Sequence, residues 1–389
     1  MLGIKLASYE TDPAKLTVFR NCLIYAGALN DGTLKSKFFI FYRAYGLIVG
    51  FLQYAIMATK TTEFMTVVEV FHWMCDFTIM TSMTMSCLYY NPILIRMEAR
   101  IKAGFFDYGG PLTPEQIKVR ATMNRNSQLM SKLYCSLCYC GLVATYIHVF
   151  FAKKEYLLPY PMWFPHEIRN MYQYVLTLIH VFIVAETMTI CAFSQLSAFV
   201  ALSSHLIAQY KILIIAIKEI DLIAGTKATP EEKILKMHAK LKTCVKHHVI
   251  INKYFDDLHK LFSIPLLTTA IFICLAICTL GFILLSPNVS VPVIGALIIL
   301  FLPEMFIIVV YCVYGQKVAD VCEEFGHTIY YSDWYTKPLS VQRDFLMILI
   351  GSRKKRQLTG FGLHEFSMKG LSEIIKATFS YFNMLRAMN

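Results

Sequence analysis

Residues 264–315 read IPLLTTAIFICLAICTLGFILLSPNVSVPVIGALIILFLPEMFIIVVYCVYG, and this stretch decides the class of the protein. Two apolar runs, 264–285 and 291–315, each reach the roughly 20 residues that a helix needs to cross a bilayer. The turn between them, 286–290, carries Pro287 and the sequon Asn288-Val289-Ser290. It is too short to favour glycosylation. A single charged side chain, Glu304, interrupts the second run directly after Pro303. Two long, nearly uncharged runs joined by a few residues have lipid as their solvent.

The rest of the chain shows the same bias. Of 389 residues, 56% are hydrophobic and 16% charged, against about 45–50% and about 25% in soluble domains. No soluble fold of this length hides so much apolar surface, and disorder, collagen-like repeats and an ordinary cytosolic enzyme are excluded with it. Five further runs of spanning length lie at 38–58, 66–90, 133–152, 171–202 and 363–388. The last is the most polar, with Glu365, Lys369, Glu373, Lys376 and Arg386. The expected fold is an all-α membrane protein with seven transmembrane helices. Residues 1–37 are mixed polar, with turn pairs at Asp12-Pro13 and Asn30-Asp31-Gly32, and do not read as a cleavable signal peptide.

Charge sets the expected direction. Segments 1–37, 91–132, 203–263 and 316–360 carry 5, 7, 10 and 7 Lys and Arg, and the alternate segments 59–65, 153–170 and 286–290 carry 1, 3 and 0. The positive-inside rule puts the basic set in the cytoplasm. The N-terminus is then cytoplasmic and the C-terminus extracellular. The net charge of +11 thus reports topology and not nucleic-acid binding. The expected organisation is a cytoplasmic segment 1–37, transmembrane helices 1–4 over 38–202, a cytoplasmic helical anchor over 203–263, helices 5–6 over 264–315, a second anchor segment over 316–360, and a last helix within 361–389.

The anchor has its own pattern. Ile220, Ile223, Ile234, Leu235, Leu241, Val245, Ile250 and Ile251 recur at helical spacing among Lys and Glu. Pro230-Glu231-Glu232 reads as a helix start. The sixth span continues amphipathically through Val318, Val321, Cys322 and Phe325. Extended helices that project from the bilayer and pack together fit these patterns, either as a platform touching neighbouring chains or as a solvated basic face.

Ionisable residues at bilayer depth are functional candidates. Arg43, near the inner end of the first span, can snorkel, and Glu69 lies near the outer end of the second. Asp76, Glu186 and Glu304 are deeper. They fit either a proton or ion relay or buried acids paired with His72, His180 or a tyrosine. The last span places Lys369, Glu373, Lys376, Ser380 and Met384 along one strip, which calls for water or protein and not lipid. The 12 cysteines lack zinc-type spacing and read as small packing residues; no extracellular disulfide, metal or cofactor is expected. Nor is there a phosphate loop, a nucleophile elbow or a zinc-helix motif, so no enzyme is expected.

Several motifs then coincide. Tyr330-Tyr331-Ser332-Asp333-Trp334-Tyr335 followed by Pro338 resembles the segment after span six in insect odorant receptors. Arg353–Arg356 with Leu358, and Thr378-Phe379-Ser380-Tyr381-Phe382-Asn383-Met384-Leu385-Arg386, resemble that family's closing signature. Residues 158–165, LPYPMWFP, resemble its second outer loop, and Pro303-Glu304 with Tyr311-Cys312-Val313-Tyr314-Gly315 resemble its sixth span. The resemblance is strongest over 291–389.

This resemblance implies an odorant-gated, non-selective cation channel in the plasma membrane of a sensory neuron dendrite. It implies tetramers around a central pore, the last helix lining the pore and cytoplasmic helices making the subunit contacts. The modest segment 203–263 and the charged last helix resemble a tuning subunit, which implies a heterotetramer with the odorant receptor co-receptor. Met384 and Met388 match gate positions, Ser380 a pore-facing position one turn deeper, and Lys376 departs from the co-receptor's small residue. The implied ligand is a small, volatile, apolar odorant held in the outer half among spans two to six. Candidate wall residues are Phe71, His72, Cys75, Val143, Tyr146, Leu178, Ile183, Gly295 and Ile298. A gustatory-type channel shares the topology but ends its last span differently. A proton-coupled transporter using Glu186 and Glu304 is the alternative from another class. A G-protein-coupled receptor would have the opposite charge bias, an outer disulfide and an Asn-Pro motif in span seven, whereas Asn91-Pro92 follows span two.

Overall fold

The computed structural model describes residues 20–151, 156–225, 227–284 and 291–387. The sequon turn, Asp12-Pro13, Met388 and the side chain of Arg386 lie outside the described set. The chain runs as α1 (Leu34–Lys60), α2 (Phe64–Tyr89), α3 (Asn91–Lys102), α4 (Pro114–Phe151), α5 (Met171–Ala224), α6 (Pro230–Leu284) and α7 (Val291–Tyr330). A 3-10 turn (Trp334–Thr336), α8 (Leu339–Ser352), a two-residue-stranded hairpin of β1 (Thr359–Gly360) and β2 (His364–Glu365), and α9 (Met368–Ala387) follow.

Several of the long helices start where side chains satisfy free N–H groups of the first turn. The Thr33 hydroxyl accepts from Ser36 N at 3.2 Å ahead of α1. Asn170 Oδ1 accepts from Gln173 N at 2.9 Å ahead of α5. Thr229 and Glu232 cap each other reciprocally at 3.3 Å around Pro230, as a capping box with proline in the first turn does. Thr113 and Gln116 repeat that device around Pro114, with Thr113 N donating to Gln116 Oε1 at 3.0 Å. α4, which carries the third apolar run, therefore begins at Pro114 and not near 133, where that run begins.

The seven apolar runs fall on α1, α2, α4, α5, α6, α7 and α9. Of these, α1, α5, α6 and α7 are long and apolar enough to cross a membrane by composition alone. Length separates span from helix. α6 has 55 residues, about 80 Å at 1.5 Å per residue, against a hydrocarbon layer of about 30 Å. The divisions expected at 202/203 and 263/264 are not breaks in the backbone: α5 and α6 pass straight through them. What changes there is composition: Lys and Glu are frequent over 203–263 and nearly absent from the apolar runs on either side.

Inside the bundle α2 packs along α6 and α4 along α5. Gly46 and Gly50 let α1 approach α5; an added Cβ would press on Thr187 at the first and on Val184 and Phe77 at the second. This is the four-residue small-residue spacing that brings membrane helices together. Pro265 inside α6 cannot donate to the Leu261 carbonyl, and the Ser86 hydroxyl of α2 takes that carbonyl instead at 2.7 Å. The polar group freed by the proline thus becomes an interhelical bond.

Beyond the bundle, the extensions of α5, α6 and α7 pack with α8 around a second core that is continuous with the first. Ile220, Leu241, Ile251, Tyr210, Tyr254, Phe325 and Phe345 are fully buried there. Leu235 and Val245, expected on the same face, are exposed. All 12 cysteines are free thiols, and most are buried among the helices, as their role as packing residues predicts.

Candidate ligand-binding cavity

A cavity of about 120 Å³ lies among α1, α2, α4, α5, α6 and α7. Helical spacing builds its wall. His72, Trp73, Asp76, Phe77 and Met80 descend one face of α2, and Val181, Val184, Ala185, Met188 and Ala192 one face of α5. Tyr134, Cys138, Gly141 and Leu142 come from α4, Leu300, Pro303, Glu304 and Ile307 from α7, Tyr54 from α1 and Ile273 from α6. Tyr160 and Met162 close it from the loop before α5, where the Tyr160 ring meets the edge of Trp73 at 4.8 Å. The wall is apolar and aromatic apart from one polar cluster, the composition usual for small-molecule sites.

That cluster is His72, Asp76 and Glu304. His72 Nε2 stands 3.3 Å from Glu304 Oε1 and 3.8 Å from Asp76 Oδ2. The other ring nitrogen, Nδ1, lies 3.1 Å from the Ala276 carbonyl. A carbonyl only accepts, so Nδ1 carries the hydrogen. The acids are therefore gathered around His72, one of the two arrangements open to the sequence. Glu186 belongs to a different arrangement: it pairs with Arg43, whose guanidinium is 3% exposed and also donates to Thr187 Oγ1 at 3.1 Å and to the Tyr25 carbonyl at 2.9 Å. Arg43 does not snorkel. Its partner across the α1–α5 contact holds it inside.

Of the wall residues expected from sequence, His72 alone lines the cavity. Phe71, Val143, Gly295 and Ile298 are exposed on the bundle surface. Cys75 is buried outside the cavity, and Leu178 and Ile183 are half-buried on α5. Tyr146 packs its ring against Phe182 at 5.7 Å. The offsets from the cavity wall are small along the chain and large around the helix, since one residue turns a side chain by about 100°. Trp73 beside Phe71, Leu142 beside Val143 and Val184 beside Ile183 are the positions that face inward. A helix that is apolar towards both lipid and protein offers no periodicity to tell the two faces apart.

The last helix presents the opposite picture. α9 packs Leu371 and Ile374 against its neighbours. The Cys278 thiol of α6 donates to the Thr378 carbonyl at 3.0 Å. Its remaining circumference is open: Lys369, Glu373, Lys376, Ser380 and Met384 are all exposed, as are Ile375 and Phe379. The expected polar strip is thus continuous on one uncovered side.

The fold and its chamber define a polytopic α-helical membrane protein whose helices enclose a small apolar site. The model of the 7tm Odorant receptor family matches residues 63–379, and the chain belongs to that family. Among curated relatives, odorant receptor 85b of Drosophila melanogaster is 26% identical over 37% of each chain. Odorant receptor 67a of the same fly is 28% identical over 38% of this chain and 36% of its own length. Odorant receptor Or2 of Anopheles gambiae is 22% identical over 42% and 43%. The chain thus spans well under half the length of these three relatives. The structure of the olfactory receptor OR5 of Machilis hrabei in complex with eugenol superposes with a TM-score of 0.85, covering 98% of this chain and all of that one at 14% identity. A second structure of that receptor gives 0.78 over 96% and 98% at 13% identity. These two matches establish the fold.

Proposed function

We propose that the chain is a tuning subunit of a ligand-gated, non-selective cation channel, opened by a small volatile odorant and assembled as a heterotetramer with the odorant receptor co-receptor. The observation that carries this is the largely apolar cavity among α1, α2, α4, α5, α6 and α7 in a chain of the odorant receptor family. The N-terminus lies in the cytoplasm and the C-terminus outside, in accord with the basic segments. The second core then forms a cytoplasmic anchor in the plasma membrane, and the exposed Leu235, Val249, Met347 and Ile350 on it give neighbouring subunits an apolar surface. α9 lines the pore.

Ligand size follows from space. About 120 Å³ is slightly less than the roughly 150 Å³ that admits benzene in an engineered apolar cavity, so a single ring or a short chain fits. The ligand opens the pore only to the extent that it binds the open state better. The test is whole-cell current under an odorant panel, with this chain alone and with a co-receptor, and with Ala192→Phe filling the cavity. Current from the pair that Ala192→Phe shifts at least tenfold in odorant concentration supports the proposal. An unshifted response in a well-expressed variant moves the site elsewhere. Substrate uptake coupled to protons, without current, favours the transporter alternative.

A further inference from the structure

The His72 cluster is built like a metal centre. We propose that His72, Asp76 and Glu304 bind a divalent transition-metal cation of the Zn2+ type inside the cavity, with one coordination position open to it. This goes beyond the odorant proposal and stands without it.

Four observations converge. First, one ligand atom from each of the three residues lies within 4.8 Å of the others, although the residues come from α2 and α7. Second, the Nδ1–H of His72 is engaged by the Ala276 carbonyl at 3.1 Å. This fixes the tautomer with the Nε2 lone pair facing the two carboxylates, the orientation that a backbone carbonyl gives to metal-ligating histidines. Third, His72 is 2% and Glu304 8% exposed, and neither His72 Nε2 nor Glu304 Oε2 has a hydrogen-bond partner. Buried polar atoms are costly without partners. Fourth, no Lys or Arg is among the residues that line the cavity, so His72 is the one basic side chain that faces the two acids there. A divalent ion cancels both charges.

The closest pair of the cluster has the spacing of metal ligands. Donor atoms at about 2.0–2.1 Å from a tetrahedral Zn2+ stand about 3.3–3.4 Å apart. Acceptors around an ammonium at about 2.8 Å stand about 4.6 Å apart. The 3.3 Å between His72 Nε2 and Glu304 Oε1 matches the metal, while the 3.8 Å to Asp76 Oδ2 and the spread of up to 4.8 Å across the three atoms require the carboxylates to rotate inward around it. Three protein ligands with a fourth position free is the arrangement of open zinc sites. That position would accept a neutral nitrogen or a thiolate of a cavity ligand, which makes the metal a candidate determinant of odorant class.

The chain carries a built-in reporter. The Trp73 ring lies 5.1 Å from that of His72, and Trp163 and Trp334 can be replaced by Phe to leave it as the sole tryptophan. The experiment titrates Co2+ into the full-length chain in lipid nanodiscs and reads Trp73 emission, then displaces Co2+ with Zn2+. Saturable quenching at micromolar Co2+, reversed by Zn2+, is expected. Glu304→Gln and Asp76→Asn, isosteric changes checked for fold by circular dichroism, should each weaken it at least tenfold, as should His72→Gln. Cys140→Ser, away from the cavity, should leave it unchanged. Absence of saturable quenching up to millimolar Co2+, or equal quenching in folded Glu304→Gln, overturns the proposal. Neither result depends on an odorant or a current.

Discussion

Arg43 of α1 and Glu186 of α5 meet inside the bundle as a two-point ion pair, with Nη2 at 3.0 Å from Oε1 and Nη1 on Oε2. The glycine contacts at Gly46 and Gly50 bring the helices close enough for this, and the pair fixes their rotation. Removing one partner of such a pair strands a buried charge, at a cost of about 3–5 kcal/mol. The Glu186 side chain is 21% exposed, so Glu186→Gln should fall at the lower end, near 3 kcal/mol. The double change Arg43→Met with Glu186→Met should recover most of it. Thermal unfolding of the purified chain measures both. A double variant no more stable than the singles would refute the pairing argument.

The linker into the last helix depends on a missing side chain. Gly315 of α7 lies directly under the main chain of Phe366, and a Cβ there would overlap the Phe366 carbonyl. Around this contact the linker is bonded to both neighbours: Phe361 N donates to Ser263 Oγ at 3.0 Å and Met368 N to Gln316 Oε1 at 3.2 Å. Gly315→Ala must displace the start of α9, with an overpacking cost of about 1–3 kcal/mol. Gly326→Ala, later on α7, meets only the Ser352 hydroxyl at 3.4 Å and should be neutral or stabilising, since alanine favours a helix by up to about 1 kcal/mol. Opposite signs for the two changes in one unfolding assay are expected; equal losses would show that the Phe366 contact is not what matters.

Acid should loosen the second core first. His247 is fully buried, stacks on Phe106 at 4.6 Å, donates from Nε2 to Gln209 Oε1 at 3.1 Å and accepts from the Tyr108 hydroxyl at 2.5 Å. Burial, and then the neighbouring His248, push its pKa down to about 3. Burial, and then Arg356, push His248 down to about 4. Both are held neutral in the fold, whereas the unfolded chain takes up protons near pH 6.5. Their penalty is absent above that pH and grows as pH falls from 6.5 towards 4, the unfolded state binding more protons. By pH 5 each costs on the order of 1–2 kcal/mol. The unfolding midpoint should therefore drop between pH 6.5 and 5 and drop less in His247→Gln. A pH-independent midpoint across that window would contradict the neutral Tyr108–His247–Gln209 chain.

Much of this architecture was legible in the sequence because lipid imposes it. Apolar length located every long helix, and Pro230 with its acids marked the start of α6. The equivalent signal at Thr113-Pro114-Glu115-Gln116 was available and puts the start of α4 well before the apolar run. The charge partners were half legible. His72 was a named candidate for the buried acids, yet Arg43 looked free because its partner lies on a helix far along the chain, and separation in sequence says nothing of that. The cavity wall was the least legible. Phe71 and Trp73, or Val143 and Leu142, are equally apolar, and only the packing of four helices decides which faces inward. The α9 strip was half legible: Lys369, Glu373 and Lys376 recur at helical spacing, but periodicity alone left open whether water or neighbouring helices meet them, and Ile375 and Phe379 share the open side.

That strip supplies the last prediction. Met384 is exposed on α9, one turn beyond Ser380 and two beyond Lys376, on the side the bundle leaves uncovered. If α9 lines the pore, Met384 narrows an apolar constriction that closes by dewetting. Met384→Ser should then raise the current without odorant, because a hydroxyl keeps water in the constriction. Lys376→Ser should raise cation conductance in the open state, because it removes a positive charge from the ion path. The two effects separate in one recording, the first in leak and the second in the single-channel amplitude. Unchanged leak and unchanged amplitude in channels shown to reach the surface would place α9 away from the pore.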